Sequence, residues 1–570
     1  MGIKDKKIGM IYRNQTEEND EVLCNFLVSP VMVQTILNGA EVLTKKIVLK
    51  VTYDNQNTMI TVDIQKLNDL EKLIVNQVLG TAVYCDVSRA GAKLVELVRM
   101  ELGKVPCEVR QMKPGWSRYH EQMIFAHDAH RPSQGIPIME TGKSILLDES
   151  YIGKELETLK LLLSLGPIEV MAPLLAVAFL GPLYEVLRVA NSAYAPQFAL
   201  FINGRSGSFK TAVAKVLFNF YNADIPMVPA SFKDTVTSLE KRLAEYACVP
   251  VLIDDFYATG LSRERWTMQK CLETVIRYVG DGIGKNRSNA ALQDIKGIRP
   301  TGMVVITGED TAGQLSTLLR CLIVNVDRGT FKADTLTTLQ KNPLRWSTFI
   351  NQFVQYCEEN FDSIVQKIPV AYDVNRVCVD MNMRLEERRP REQLVQCRLA
   401  FDILQDFLEA TTGKSKELDQ LISDCRTGCN SALNNSQNYA RKNSAEEQFC
   451  YAFAEAVASK QIIIAESKNF YECSQNRYDG FADKEFFYFR SASAYAKIRR
   501  IFADQGRELS LNVINAKRAM ESAGLLVTDI EKQGSANEKK NLEVKVTIGT
   551  SRQRMMKVCR SMLESYIDQK

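Results

Sequence analysis

One segment limits the possible folds of this chain more than any other: Gly204-Arg205-Ser206-Gly207-Ser208-Phe209-Lys210-Thr211. Before it, residues 198–202 (Phe-Ala-Leu-Phe-Ile) form an apolar run of the length a buried strand needs. After it, residues 212–218 carry an apolar face at helical spacing. Strand, glycine-containing loop and helix together turn successive backbone N–H groups and a helix N-terminus toward an anion. The spacing follows the phosphate-loop pattern G-x-x-x-x-G-K-[ST], except that Phe209 stands in place of the second glycine. On this reading Gly204, Ser206, Gly207, Ser208, Lys210 and Thr211 surround a nucleoside triphosphate. The Lys210 ammonium reaches the β and γ phosphates and the Thr211 hydroxyl holds Mg²⁺.

Three downstream elements extend the set. Residues 249–256 are an apolar run ending in Asp254 and Asp255. Behind a phosphate loop, Asp254 is expected at the Mg²⁺ and Asp255 as the acid that polarises an attacking water. Without that loop they would be two exposed acids at a strand tip. Residues 302–309 are a second buried run, ending at Thr307, which is placed to orient the water between the strands. Residues 318–327 carry Arg320 from a helix end straight into a further strand, with Arg328 just beyond.

This order of strand, loop, helix, acidic strand, sensor strand, arginine and strand resembles the AAA+ core. More narrowly, it resembles the helicase-type AAA+ ATPases of mobile genetic elements (pathogenicity islands, cassette chromosomes and prophages), relatives of the MCM and superfamily-3 replicative helicases. The resemblance is clearest over residues 155–335. It rests on the phosphate loop, on the apolar helical segment 161–187 before it, and on Gly280-Asp281-Gly282-Ile283-Gly284-Lys285-Asn286-Arg287-Ser288 between the acidic and sensor strands. The resemblance implies ATP and Mg²⁺ as cofactors and a homo-oligomeric ring, most simply a hexamer. In such a ring Arg320, with Arg328 as runner-up, enters the neighbouring subunit's ATP site and stabilises charge on the γ-phosphate. It also implies that the 280–288 insertion is a pore hairpin in which Lys285 and Arg287 grip DNA. Phe209 departs from the family loop and bears on the ATP geometry. The function implied is an ATP-dependent DNA translocase or helicase in replication of a mobile element, with replication proteins as further partners. The alternative is a nucleotide-dependent switch or defence ATPase that assembles with protein partners and never unwinds DNA; a third reading is a vestigial site.

Composition agrees with a cytoplasmic protein of several domains. The chain has 570 residues, more than one core holds, with 45% apolar and 25% charged residues. A net charge of +4 excludes general polyanion binding, so nucleic-acid contacts are expected to be local. Fourteen scattered cysteines with no secretory leader read as reduced thiols. Glu169, Pro173, Pro182 and Glu185 interrupt the apolar run 168–187, which is read as a core helix rather than a membrane span.

The expected fold is multidomain α/β: a β-containing N-terminal domain (1–150), an AAA+ P-loop core (151–335), a helical lid (336–465) and a C-terminal winged helix (466–570). In the first, residues 47–53 and 59–64 alternate around a turn-like gap at 54–57, which predicts a hairpin; 90–102 suits a helix. His120, His127 and His130 cluster there, but no cysteine or acid pair completes a metal spacing. They are read as a polar loop near Trp116 that joins this domain to the next. In the lid, 346–361 and 393–410 carry helical periodicity around a charged cluster, where Arg391 or Arg398 is placed for a second sensor. In the last, a strand at 485–489, helices at 492–505 and 510–524 (Ser510 as N-cap, Gly524 as C-cap) and strands at 525–528 and 542–547 around a basic tip follow the plan of a winged helix. Its candidate DNA contacts are Asn512, Asn515, Lys517 and Arg518 on the second helix and Lys532, Lys539 and Lys540 on the wing, with protein docking as the alternative use of such a fold.

Overall fold

The computed structural model describes residues 4–568 except 7–8, 14–19, 39–40, 54, 78–88, 112–113, 120–121, 128–137, 140–142, 246–247, 258–261, 283–286, 289–293, 296–298, 312, 383–387, 506–508 and 534–536.

Near the N-terminus a five-stranded sheet runs in the order Ile138–Met139, Cys107–Gln111, Leu27–Asn38, Glu41–Tyr53, Gln56–Asp63. Helices Leu70–Gln77 and Ala90–Glu101 pack on it through Leu70, Ile74, Leu94 and Val98 against Ile47, Leu49 and Val51. The predicted hairpin is present but tighter. Tyr53 pairs with Gln56, and Asn55 adopts φ 58° in the two-residue connection. A second hairpin, Gly115–Tyr119 with Gln122–Ala126, attaches this region to the centre of the molecule. The Trp116 indole N–H donates to the Pro182 carbonyl at 2.6 Å, and its ring packs on Phe125 and Phe361.

The central sheet is wholly parallel, in the order Ala230–Ser231, Val251–Phe256, Val304–Gly308, Ala199–Asn203, Cys321–Asn325. Its middle strands are near-continuous apolar runs because both faces are covered. Leu200 and Ile202 face a cluster built on helix Ile168–Ala190. Ala199 and Phe201 face helix Ser262–Asp281 through Leu272, Val275 and Ile276. Ile168–Ala190 is long and apolar enough to cross a membrane, yet nearly all of it is buried inside the fold, as expected of a core helix. It is overlaid by Phe361–Asn382, Arg388–Thr412 and Lys416–Lys442, which close the same core. At Gly428 a Cβ would lie 2.7 Å from the Ile168 carbonyl, so the small residue sets how closely the last of these helices approaches. Between the acidic and sensor strands, Arg287–Ser288 pairs antiparallel with Asp294–Ile295, so only the end of the expected insertion 280–288 lies in a strand pair, and its partner lies beyond it.

The C-terminal segment has its own core. Helix Ala445–Ala458 joins helices Ser491–Asp504 and Val513–Ser522 against strands Phe486–Phe489 and Ser551–Cys559. Two local expectations are corrected. Asn512, not Ser510, caps the helix, its side-chain oxygen accepting from the Asn515 N–H at 2.8 Å; Gly524 does follow the helix end, at φ 72°. The strands foreseen at 525–528 and 542–547 do not pair with each other. Asp529–Gln533 pairs antiparallel with Asn537–Asn541, with Lys532 in register with Glu538 and Glu531 with Lys539. Val544–Ile548 pairs instead with the start of Ser551–Cys559. The cysteines described are free thiols.

Candidate functional site

The phosphate loop leaves the carboxyl end of the central strand Ala199–Asn203, where ligands of open parallel sheets bind. Gly204 has no room for a side chain: a Cβ would sit 2.0 Å from the Val326 carbonyl. Gly207 turns the loop at φ 81°, and the buried Ser208 hydroxyl donates to the Arg205 carbonyl at 2.8 Å. The Lys210 ammonium donates to the carbonyls of Gly204 (2.6 Å) and Arg205 (2.9 Å). Burial lowers its pKa, while Glu309, Asp255 and Asp254 act in the opposite direction.

Phe209 occupies the left-handed region at φ 61°, immediately before helix Lys210–Phe218. This is the backbone that the usual glycine supplies, held here by a side chain that is 45% exposed. The conformation costs an L-residue about 1–2 kcal/mol. Phe209→Gly is therefore expected to leave unfolding free energy within about 1 kcal/mol of wild type, since relief of that strain offsets lost burial and glycine's extra unfolded-state entropy. Phe209→Val places a β-branched residue at positive φ and should destabilise by more than about 1 kcal/mol. Urea unfolding of the two variants checks both.

The acidic strand reaches the loop through an irregularity. Ile253 pairs with Ile306, but the next pairing is Phe256 with Gly308, so Asp254 and Asp255 together oppose Thr307. The bulge puts Asp255 at φ 65°. Asp254 Oδ1 accepts from the Thr211 hydroxyl at 2.7 Å and also from the Thr307 hydroxyl. Thr307 Oγ1 in turn accepts from the Asp255 backbone N–H at 3.1 Å. One hydroxyl on the strand Val304–Gly308 thus meets the Asp254 carboxylate and the Asp255 backbone N–H. Asp255 has its carboxyl pKa raised, first by burial and then by the negative charges of Asp254 and Glu309. Glu309 is the one acid here that the sequence did not single out; it follows Thr307-Gly308, and only its order in the chain hinted at it. Thr211 and Asp254 present adjacent hard oxygen donors of the kind Mg²⁺ prefers, so the residues present fit that ion.

Arg320 lies elsewhere. It precedes Cys321, the residue paired with Ala199, and is therefore at the amino-terminal edge of the sheet, about 20 Å of strand from the start of the loop at Gly204. It is only 7% exposed, and its guanidinium donates to Asp281 Oδ1 at 2.8 and 3.1 Å, an oxygen shared with Arg389 at 3.2 Å. Arg328 is close to the loop of its own chain, contacting the Ser206 carbonyl at 3.4 Å. The second-sensor candidates are held by neighbouring helices: Arg391 by Asp380 at 3.2 Å and Arg398 by the Asn375 side chain at 3.1 Å.

The nucleic-acid candidates are dispersed. The backbone at Arg287 belongs to the short hairpin, while Lys285 lies outside the described residues. Lys517 is half-buried in an ion pair with Glu543 at 3.1 Å, and Arg518 next to it is exposed. Lys540 pairs with Glu521, and Lys539 lies on the strand that carries it. Of the clustered histidines, His120 and His130 lie outside the described residues. His127 Nδ1 accepts from the Ile145 N–H at 3.4 Å, and no cluster of three or more His, Cys, Asp or Glu side chains placed to hold a metal occurs among the described residues.

No protein-family model matches the sequence, and no curated protein matches it significantly. Among solved structures, the chain is similar to one described as the SCCmec type IV Cch active helicase: TM-score 0.64, 11% identity, 99% of each chain covered. The apo C-terminal region of NrS-1 aligns at TM-score 0.23 and 10% identity over 67% of this chain and 90% of that one. JCV helicase in an inhibitor complex aligns at 0.20 and 14% over 41% and 73%. Scores that low carry no shared fold. The similarity to the structure described as the Cch helicase extends over nearly the whole of both chains, and the fold they share is, in this chain, a mixed α/β fold with a parallel central sheet.

Proposed function

We propose that this chain is an ATP-dependent DNA translocase or helicase acting in the replication of a mobile genetic element, working as a cytoplasmic homo-oligomeric ring, most simply a hexamer. The observation that carries the reading is the convergence of Lys210, Thr211, Asp254, Asp255 and Thr307 at the carboxyl edge of one parallel sheet. In this reading residues 151–335 form an AAA+ core, the helices after it a lid, and the C-terminal segment a winged helix.

The phosphate loop binds the triphosphate through its backbone N–H groups, with Lys210 at the β and γ phosphates. Thr211 and Asp254 would hold Mg²⁺, which when bound neutralises charge on the phosphates. Thr307 orients both acids, and Asp255 takes the proton from the attacking water. Arg320 is too far along the strand to serve its own loop, so it serves the loop of a neighbouring copy, leaving Asp281 for the γ-phosphate as the ring closes. Lys285 and Arg287 contact DNA from the hairpin, and Lys517, Arg518, Lys539 and Lys540 add contacts from the C-terminal domain.

ATP turnover measured with and without single-stranded DNA tests the proposal. DNA should raise turnover several-fold, and Arg320→Ala should abolish the stimulated rate while leaving nucleotide binding near wild type. Turnover that ignores DNA would favour a nucleotide-dependent switch working with protein partners.

A further inference from the structure

The C-terminal hairpin that replaced the expected one carries charge on a single face. In the register of Val544–Ile548 with Ser551–Cys559, Lys545 is directly opposite Arg554 and Thr547 directly opposite Arg552. Residues two apart on a strand share a face, so Lys545, Thr547, Arg552 and Arg554 form one surface, and all four are exposed. The other face is sealed: Ile548 and Met555 are buried against Tyr471 and Phe481. The turn is tied down as well, because the Gly549 N–H donates to the Glu472 carboxylate at 3.0 Å. The basic groups therefore sit on a rigid ribbon. Like charges directly opposite each other destabilise a strand pair. Glu543, the acid on the same face, is engaged by Lys517 at 3.1 Å and by the Ser491 hydroxyl at 2.6 Å, and the Arg554 charge also lies close enough to help hold its carboxyl below the usual range. That ion pair also locks helix Val513–Ser522, with its exposed Arg518, beside the ribbon.

We propose that this face, through Lys545, Arg552 and Arg554, binds the phosphate backbone of double-stranded DNA. It deepens the reading of the protein as a DNA motor, on which it rests, by giving the duplex its own site apart from the hairpin between the acidic and sensor strands. Three cations on a flat, fixed strand pair complement a polyanion. Among the described residues this face of the strand pair carries no aromatic side chain, and stacking on aromatics is how proteins capture single-stranded bases, so the duplex is favoured over a separated strand. The contacts are to phosphates, so they position the protein without reading sequence.

The test is fluorescence anisotropy of a labelled 30-base-pair duplex with the full-length protein, without nucleotide, over a range of salt. The triple variant Lys545→Gln, Arg552→Gln, Arg554→Gln should bind roughly 10–100-fold more weakly at 0.1 M salt, and its log–log salt slope should be smaller by about three. Its thermal midpoint should equal or exceed that of wild type, because a like-charge pair has gone, which separates lost binding from lost folding. Unchanged duplex affinity and slope, or a loss confined to single-stranded DNA, would overturn the proposal. These outcomes are independent of ATP turnover: a ribbon that fails here leaves DNA-stimulated hydrolysis intact, whereas hydrolysis indifferent to DNA sinks the motor reading and not the ribbon.

Discussion

Lys210→Ala should lower kcat/KM for ATP hydrolysis by about 10²–10³-fold, a loss of roughly 3–4 kcal/mol. The magnitude follows from the surroundings of the ammonium. It is buried to 8% exposure at the mouth of the loop, and its donors lie 2.6 and 2.9 Å from the Gly204 and Arg205 carbonyls. A phosphate oxygen at that mouth gains charge-assisted hydrogen bonds, each worth about 1.5–3 kcal/mol. Alanine removes them and also leaves two loop carbonyls without their donor. Steady-state turnover and binding of a fluorescent ATP analogue should fall together, because the contact exists before and during the reaction. Wild-type turnover in this variant would mean that residues 204–211 do not bind the triphosphate.

Asp255→Asn should behave differently. A general base contributes about 10²–10⁴-fold, so kcat should drop by that order while nucleotide affinity changes little. Asparagine keeps the backbone N–H that donates to Thr307, and asparagine tolerates the left-handed φ of 65° better than most residues. The loss therefore reports on the carboxylate and not on the bulge. The pH profile gives a second readout. Burial, Asp254 and Glu309 all raise the Asp255 pKa above its ordinary value of 3.8, although Lys210 and Lys233 oppose them. A base must be ionised, so activity should fall with decreasing pH along a limb displaced upward from that of an exposed aspartate. Glu309→Gln removes one of the raising charges and should move the limb to lower pH. An unmoved limb would remove Asp255 from the role of base.

The loop at 204–211 was legible as a strand-to-helix connection because the pattern lies within eight consecutive residues, and strand and helix each show their own apolar period. Even Phe209, which breaks the pattern, sits in the backbone conformation that the pattern requires. Asp254, Asp255 and Thr307 were legible as residue types at strand ends. Their joining was not, since Thr211 and Asp254 are 43 positions apart and the bulge that turns both acids toward Thr307 leaves no local mark. Glu309 was missed for the same reason: an acid after a Thr-Gly strand end looks like a solvated turn until Lys210 and Asp255 are beside it. Arg320 was visible as an arginine entering a strand, but its hold on Asp281, 39 positions earlier, was not.

In the C-terminal segment the helices emerged close to their expected spans, because helical hydrogen bonds and caps are made between near neighbours in the chain. The strands did not find their expected partners. Alternation of period two records which side of a strand is buried but says nothing of which strand lies next to it. Sequence alone thus determined the strand–loop–helix at 198–218, the apolar strands that end at Asp254–Asp255 and at Thr307, and the apolar core helix, each set by local chemistry and periodicity. Only the tertiary structure decided that Thr307 serves two acids, that Arg320 is at the far edge of the sheet, and that Lys545, Arg552 and Arg554 share a face. Those facts depend on strand order and register, which come from the packing of residues distant in the chain.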